Sequence, residues 1–93
     1  MFSWDAGKAL TNLKKHGISF EEAATVFSAP EGLDWEDLGH SLSERRSKRL
    51  GLSVSGRVLL VVDTTRRLKN DKETIRIISA RQASRKERKA YAG

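Results

Sequence analysis

The sequence predicts an α+β domain: an antiparallel sheet with an N-terminal αα-hairpin and a short C-terminal helix. Three observations carry this. Apolar residues recur at helical spacing between capping signals in residues 5–29, the period changes to two from residue 49, and a second capping signal stands at Ser84. A chain of 93 residues has room for one domain and one core, so residues 1–93 are read as a single unit.

Phe2 to Trp4 reads as a short strand ending at Asp5, a good helix N-cap. Ala6, Leu10 and Leu13 follow at i, i+4, i+7, one face of a first helix. Lys14, Lys15 and His16 suit the negative end of its dipole, and Gly17 sits where a left-handed C′ residue belongs. Ser19-Phe20-Glu21-Glu22 is a capping box, in which Glu22 is expected to reach back to the Ser19 amide. Phe20, Ala23, Ala24 and Phe27 continue a second helix that Pro30 stops.

A strand is expected near residues 33–36, then a loop carrying His40. Leu50, Leu52 and Val54 alternate with Arg49, Gly51 and Ser53, and Ser55-Gly56 signals a hairpin turn. The unbroken run Val58 to Val62 marks a central strand covered on both faces. A turn at Asn70-Asp71 leads to a strand over 74–80, where strict alternation groups Arg76, Ile78 and Ala80. Ser84-Arg85-Lys86-Glu87 opens the last helix, which includes Tyr91.

Charge is unevenly spread. Residues 1–44 carry three basic and eight acidic side chains, whereas residues 45–93 carry fifteen basic and four acidic, a balance of +11 within a net +6. Such a field draws polyanions to one region, and it would equally draw an acidic protein. No apolar run approaches the roughly 20 residues of a membrane span, and the N-terminus lacks the pattern of a signal peptide. With no cysteine, disulfides and thiolate metal sites are excluded, and the expected location is the cytoplasm. There is no phosphate-binding glycine loop, G-x-S-x-G or H-E-x-x-H, and His16 and His40 alone do not make a zinc site. No metal or cofactor is expected.

The candidate residues are therefore basic. In a strand, Arg45 and Arg49 share one face and Arg46 and Lys48 the other. They either protect a sheet edge or bind an anion. Glu44 is an ion-pair partner or a general base. Arg76, between two isoleucines, needs a carboxylate or a phosphate to offset burial; Glu44 or Glu73 would serve a structural pair. His16 either caps helix carbonyls or transfers protons, the task suited to its side-chain type near neutrality.

These residues fall in ordered strings. Phe2-x-Trp4-Asp5-x-x-Lys8-Ala9, Asn12-x-x-Lys15-His16-Gly17-x-Ser19-Phe20-Glu21-Glu22-Ala23 and Val26-Phe27 open the chain. Asp37-x-x-His40-Ser41, Glu44-Arg45, Gly51, Ile75-Arg76-Ile77-Ile78-Ser79-Ala80-Arg81-x-Ala83, Glu87-Arg88 and Tyr91 follow. Together they resemble the BrnT-type toxins over nearly the whole chain. The resemblance implies a RelE-like fold, endoribonuclease activity and a BrnA-type antitoxin with a ribbon-helix-helix part. It also implies a two-toxin, two-antitoxin complex that meets operator DNA through the antitoxin.

The expected chemistry is metal-independent RNA cleavage. Arg45, Arg66, Arg76 and Arg81 are assigned to phosphate, and Glu44 and His16 to proton transfer. Lys14, Lys15, Arg46 and Arg49 are assigned to RNA binding. The alternative is a non-catalytic module that tunes its antitoxin's DNA binding; a basic interaction domain without a nucleic-acid role is a third reading.

Overall fold

The computed structural model describes residues 1–37, 45–68, 70 and 72–92. In chain order the elements are β1 (Phe2–Ser3), α1 (Ala6–His16), α2 (Phe20–Thr25) with a 3₁₀ turn (Val26–Ser28), β2 (Leu33–Glu36), β3 (Ser47–Leu52), β4 (Val58–Arg67), β5 (Glu73–Gln82) and α3 (Arg85–Ala92). The strands make one sheet in the order β1-β5-β4-β3-β2. β2 to β5 pair antiparallel, but β1 runs parallel to β5, with Phe2 beside Ile75 and Ser3 beside Arg76. The sheet is therefore mostly rather than wholly antiparallel, because β1 leaves directly into a helix and cannot turn back as a hairpin.

The helix ends follow the local chemistry. The Asp5 carboxylate accepts the Lys8 amide at 2.9 Å, and Gly17, at φ +71°, returns its N–H to the Leu13 carbonyl at 2.8 Å. The second capping box closes in both directions: the Glu87 amide donates to Ser84 Oγ, and the Ser84 amide to Glu87 Oε1. The first closes in only one. Ser19 Oγ accepts the Glu22 amide, but the Glu22 carboxylate turns to the β3–β4 hairpin and takes Ser53 Oγ, Ser55 Oγ and the Arg57 guanidinium. A full positive charge outcompetes a backbone amide, and the Arg57 bond is the first cause holding Glu22 down to about 2.

The face α1 buries is not its leucine stripe. Leu10 and Leu13 stay 54% and 46% exposed, whereas Asn12 is buried and Ala9 and His16 are half-buried. The reason lies at the edge of β5. β1 pairs only with Ile75 and Arg76, which leaves the Ala80 peptide groups without a neighbouring strand. Asn12 Nδ2 donates to the Ala80 carbonyl at 2.8 Å and to the Ile18 carbonyl at 3.0 Å, while Asn12 Oδ1 accepts the Ala80 amide at 3.1 Å. Satisfying buried backbone groups outranks burying two leucines.

The sheet has two unlike faces. On one, α1 and α2 lie against β5, and Ile18, Phe20, Ala23, Val26, Leu59, Val61, Ile77 and Ala80 form the main core. On the other, Leu50, Leu60 and Ala83 pack with Val58 and Tyr91 beneath α3. The Val58 to Val62 run is covered on both sides for this reason. Val62 faces Ser79 while Asp63 faces Ile77, so Ile78 is an extra, bulged residue. The bulge breaks the expected alternation: Ala80 joins Ile77 in the core, and Arg76 and Ser79 face the other way.

Asp63, 5% exposed, lies on the helix side beside Asp34 and Arg49, and its Oδ1 accepts no hydrogen bond among the described residues. Burial, then the Asp34 charge, pushes its carboxyl up to about 6 against the pull of Arg49. An acid whose folded pKa is raised stabilises the fold at low pH and loses that contribution as pH rises through the folded value. Asp63→Asn, neutral throughout, is expected to melt above the wild type at pH 7.5, by up to about 3 kcal/mol. The two should converge below pH 4. Equal melting at both pH values would show that Asp63 is ionised without cost.

Candidate functional site

Two hollows meet at the bulge. A cleft of about 530 Å³ between α1 and β5 is lined by Asp5, Gly7, Lys8, Thr11, Asn12, Lys15, His16, Ile78 and Ser79. A second, of about 250 Å³, lies on the sheet face that α3 leaves open, lined by Asp37, Arg46, Lys48, Leu60, Val62, Ile78, Ser79 and Arg81. Ile78 and Ser79 belong to both. The bulge therefore sits between the lysines and histidine of α1 on one side and the cations of β3 and β5 on the other.

Register places the open-face side chains. Lys48, Val62 and Ser79 stand side by side across three strands, as do Leu50, Leu60 and Arg81. Thr64 faces Arg76, and Arg66 faces Thr74 toward the far end. Arg81 makes a two-pronged pair with Glu87, Nη1 to Oε1 at 2.8 Å and Nη2 to Oε2 at 3.0 Å. That pair raises the Arg81 pKa and is the first cause holding Glu87 down to about 2. Asp5 is lowered chiefly by the Lys8 amide it caps, with the Lys8 and Arg76 charges contributing.

The expected site residues divide accordingly. Arg46, Arg76 and Arg81 share the open face with Arg66, and Lys15 and His16 line the adjoining cleft. Lys14 is exposed on α1 and lines neither hollow. Arg45 projects into solvent, 4.0 Å from Glu36. Glu44 and His40 lie outside the described residues. Glu73 pairs with Arg67 at 3.9 Å and not with Arg76.

Arg49 is on the wrong face for its expected role. It points to the helix side, where Nε donates to the Val26 carbonyl at 2.8 Å, Nη2 to the Ala29 carbonyl at 2.9 Å and Nη1 to Asp34. The guanidinium also lies 5.6 Å from the Phe27 ring centroid, and a side chain at Gly32 would run into it. Its donors are spent on closing the turn after α2.

Sequence reasoning gave no site role to Lys8 or Ser79, and it set Lys48 beside Arg46 on one strand face without assigning it to RNA. Lys8, Thr11 and Lys15 fall at i, i+3, i+7 beside Asn12, a stripe hidden by the apolar one. Among the described residues, no three His, Asp or Glu side chains gather as a metal-binding group. No helix there is long and apolar enough to cross a membrane.

A sheet with two helices on one face and a hollow bordered by Arg46, Lys48 and Arg81 on the other defines a small α+β protein with a basic open face. Residues 4–87 match the family described as "Ribonuclease toxin, BrnT, of type II toxin-antitoxin system". The chain belongs to that family. Its fold is similar to the crystal structure of the Brucella abortus ribonuclease toxin BrnT, with a TM-score of 0.63 and 20% identity over 91% of this chain and 99% of that one. At that identity the likeness speaks for the fold, three helices and a mostly antiparallel five-stranded sheet of RelE-like type. A comparison with curated proteins gives no match.

The two arginines test the division of faces. Arg49→Ala leaves two carbonyls and Asp34 without their donor and is expected to cost about 2–4 kcal/mol of stability. Arg76→Ala removes the half-buried guanidinium's charge interaction with Asp5 and no hydrogen bond described above, and should cost less than about 1 kcal/mol. Urea melts of both variants check this; a strongly destabilised Arg76→Ala would make Arg76 a structural residue.

Proposed function

We propose that this chain is a metal-independent endoribonuclease that cuts RNA across the Ile78–Ser79 bulge. One observation carries the reading: cations from α1, β3 and β5 border two hollows joined at that bulge, with His16 beside it. RNA brings its own nucleophile. A base removes the 2′-hydroxyl proton, O2′ attacks phosphorus, the bond to O5′ breaks, and an acid returns a proton to O5′. The products are a 2′,3′-cyclic phosphate and a 5′-hydroxyl.

His16 is the proton-transfer group the geometry favours, with Glu44 as its counterpart. Arg76 and Arg46 stabilise the charge developing on the phosphorane, with Lys48 beside them, since a guanidinium fork matches two phosphate oxygens. Arg81, whose fork Glu87 occupies, joins them when RNA displaces that carboxylate. Arg45, Arg66, Lys14, Lys15 and Lys8 hold flanking phosphates. In the cytoplasm a BrnA-type ribbon-helix-helix antitoxin masks this face in a two-toxin, two-antitoxin complex, and operator DNA is bound through the antitoxin.

Purified protein on naked RNA tests the chemistry. Cleavage is expected to persist in excess EDTA and to leave cyclic or 3′-phosphate ends. His16→Ala or Arg76→Ala should lower the rate by about 10²–10³. Activity that chelator abolishes and Mg²⁺ restores would overturn the mechanism.

A further inference from the structure

A third hollow, of about 550 Å³, shares no lining residue with the other two and is the apolar one of the three. It wraps the edge of β3 past the end of β2, whose last pairing there is Leu33 with Leu50. Ala29 and Pro30 form one wall, with the exposed Glu31 at their end, and Leu52 and Val54 form another. Tyr91 of the basic helix α3 closes it, so any acidic flank of a bound segment lies on the α3 side. Leu52 is 44% exposed and Val54 81%.

Polar contacts hold these two residues outward. Ser53, between them, turns inward to Glu22 at 2.7 Å, and the Val54 amide donates to Thr25 Oγ1 at 3.0 Å. The hairpin is further tied down by Arg57 on Glu22. The apolar surface is therefore rigid before anything covers it, and the entropy lost on binding is small. By contrast, the exposed Leu10 and Leu13 lie on the convex outside of α1 and line none of the three hollows.

Charge says what kind of segment fits. α3, which supplies Tyr91, carries Arg85, Lys86, Arg88 and Lys89, all exposed, and its single acid, Glu87, is already held by Arg81. A second copy of this chain would bring the same basic helix and a net +6 of its own. A segment with apolar side chains flanked by carboxylates meets both features.

We infer that this groove seats an apolar, acid-flanked segment of the cognate antitoxin, anchoring it outside the RNA-binding face. The inference rests on the toxin reading above and adds where the inhibitor is held. Anchoring here leaves the antitoxin's carboxylates free to cross α3 toward Arg81 and the open sheet face. The groove then sets the lifetime of the complex, and the basic helix sets the rate of encounter.

The test uses the full chain with the antitoxin encoded in the adjacent reading frame. A Leu52→Asp, Val54→Asp double variant is expected to keep its melting temperature and to cut naked RNA within twofold of wild type. It should bind antitoxin at least 100-fold more weakly and escape inhibition. Lys86→Glu with Lys89→Glu should slow association and flatten its salt dependence. A Leu10→Asp, Leu13→Asp variant should be inhibited normally.

Antitoxin affinity within threefold of wild type for the Leu52/Val54 variant would overturn the inference. So would loss of inhibition in the Leu10/Leu13 variant instead, or a wild-type dimer that the Leu52/Val54 changes dissociate. Should the wild type cut no RNA while antitoxin affinity still falls on substitution, the groove assignment stands and the nuclease reading fails. If the double variant misfolds, Val54→Ser alone, at the more exposed position, should still weaken the complex at least tenfold.

Discussion

The structure depends on one buried amide. β5 has a strand neighbour on its outer side for two residues only, and beyond them its edge would present unpaired peptide groups to the interior. Asn12 supplies the missing partner, donating to and accepting from Ala80 as a strand would. Its third bond, to the Ile18 carbonyl, fixes where the chain turns from α1 into α2. Each such group left unsatisfied would cost about 1–3 kcal/mol, a large share of what a domain this size has to spare. The same side chain therefore closes the sheet and sets the height of α1 over the bulge. Lys8, Lys15 and His16 line one cleft with Ser79 because Asn12 fixes α1 against β5.

A consequence is that the arginines do different work according to face. Arg49 and Arg57 are structural: one ties the turn after α2 to Asp34, the other binds Glu22 and pins the hairpin to α2. Arg46, Arg76 and Arg81 stand on the face left open when α3 covers only Leu50, Leu60 and Ala83. Net positive charge alone would not distinguish these groups. Register does, because one residue of shift along a strand moves a side chain from the packed face to the open one.

What was legible in the sequence was local. Asp5 and Gly17 bracket α1, Ser84 and Glu87 open α3, and the unbroken Val58 to Val62 run marks the strand buried on both sides. Each is decided by neighbours within a few residues. The αα pair, the sheet and the alternation of Arg46 with Lys48 were readable for the same reason. The misreadings are non-local. Leu10 and Leu13 look like a core stripe until the unpaired edge at Ala80 claims Asn12. Glu22 fits a capping box until Arg57, thirty-five residues on, offers a stronger partner. The Ile78 bulge, which moves Ala80 into the core and joins the two hollows, has no mark in the sequence at all.

The central claim is that α1 and the open sheet face form one RNA surface around that bulge. Titration with a short RNA carrying a 2′-O-methyl group at each nucleotide, which cannot be cut, tests it directly by residue-resolved NMR. The account predicts that Lys8, Lys15 and His16 on α1 shift together with Lys48, Ser79, Arg76 and Arg81 on the sheet. All should follow a single binding curve, while Arg49 and Val54 stay unmoved. Shifts confined to α1 or to the sheet alone, or two curves with separate affinities, would contradict it.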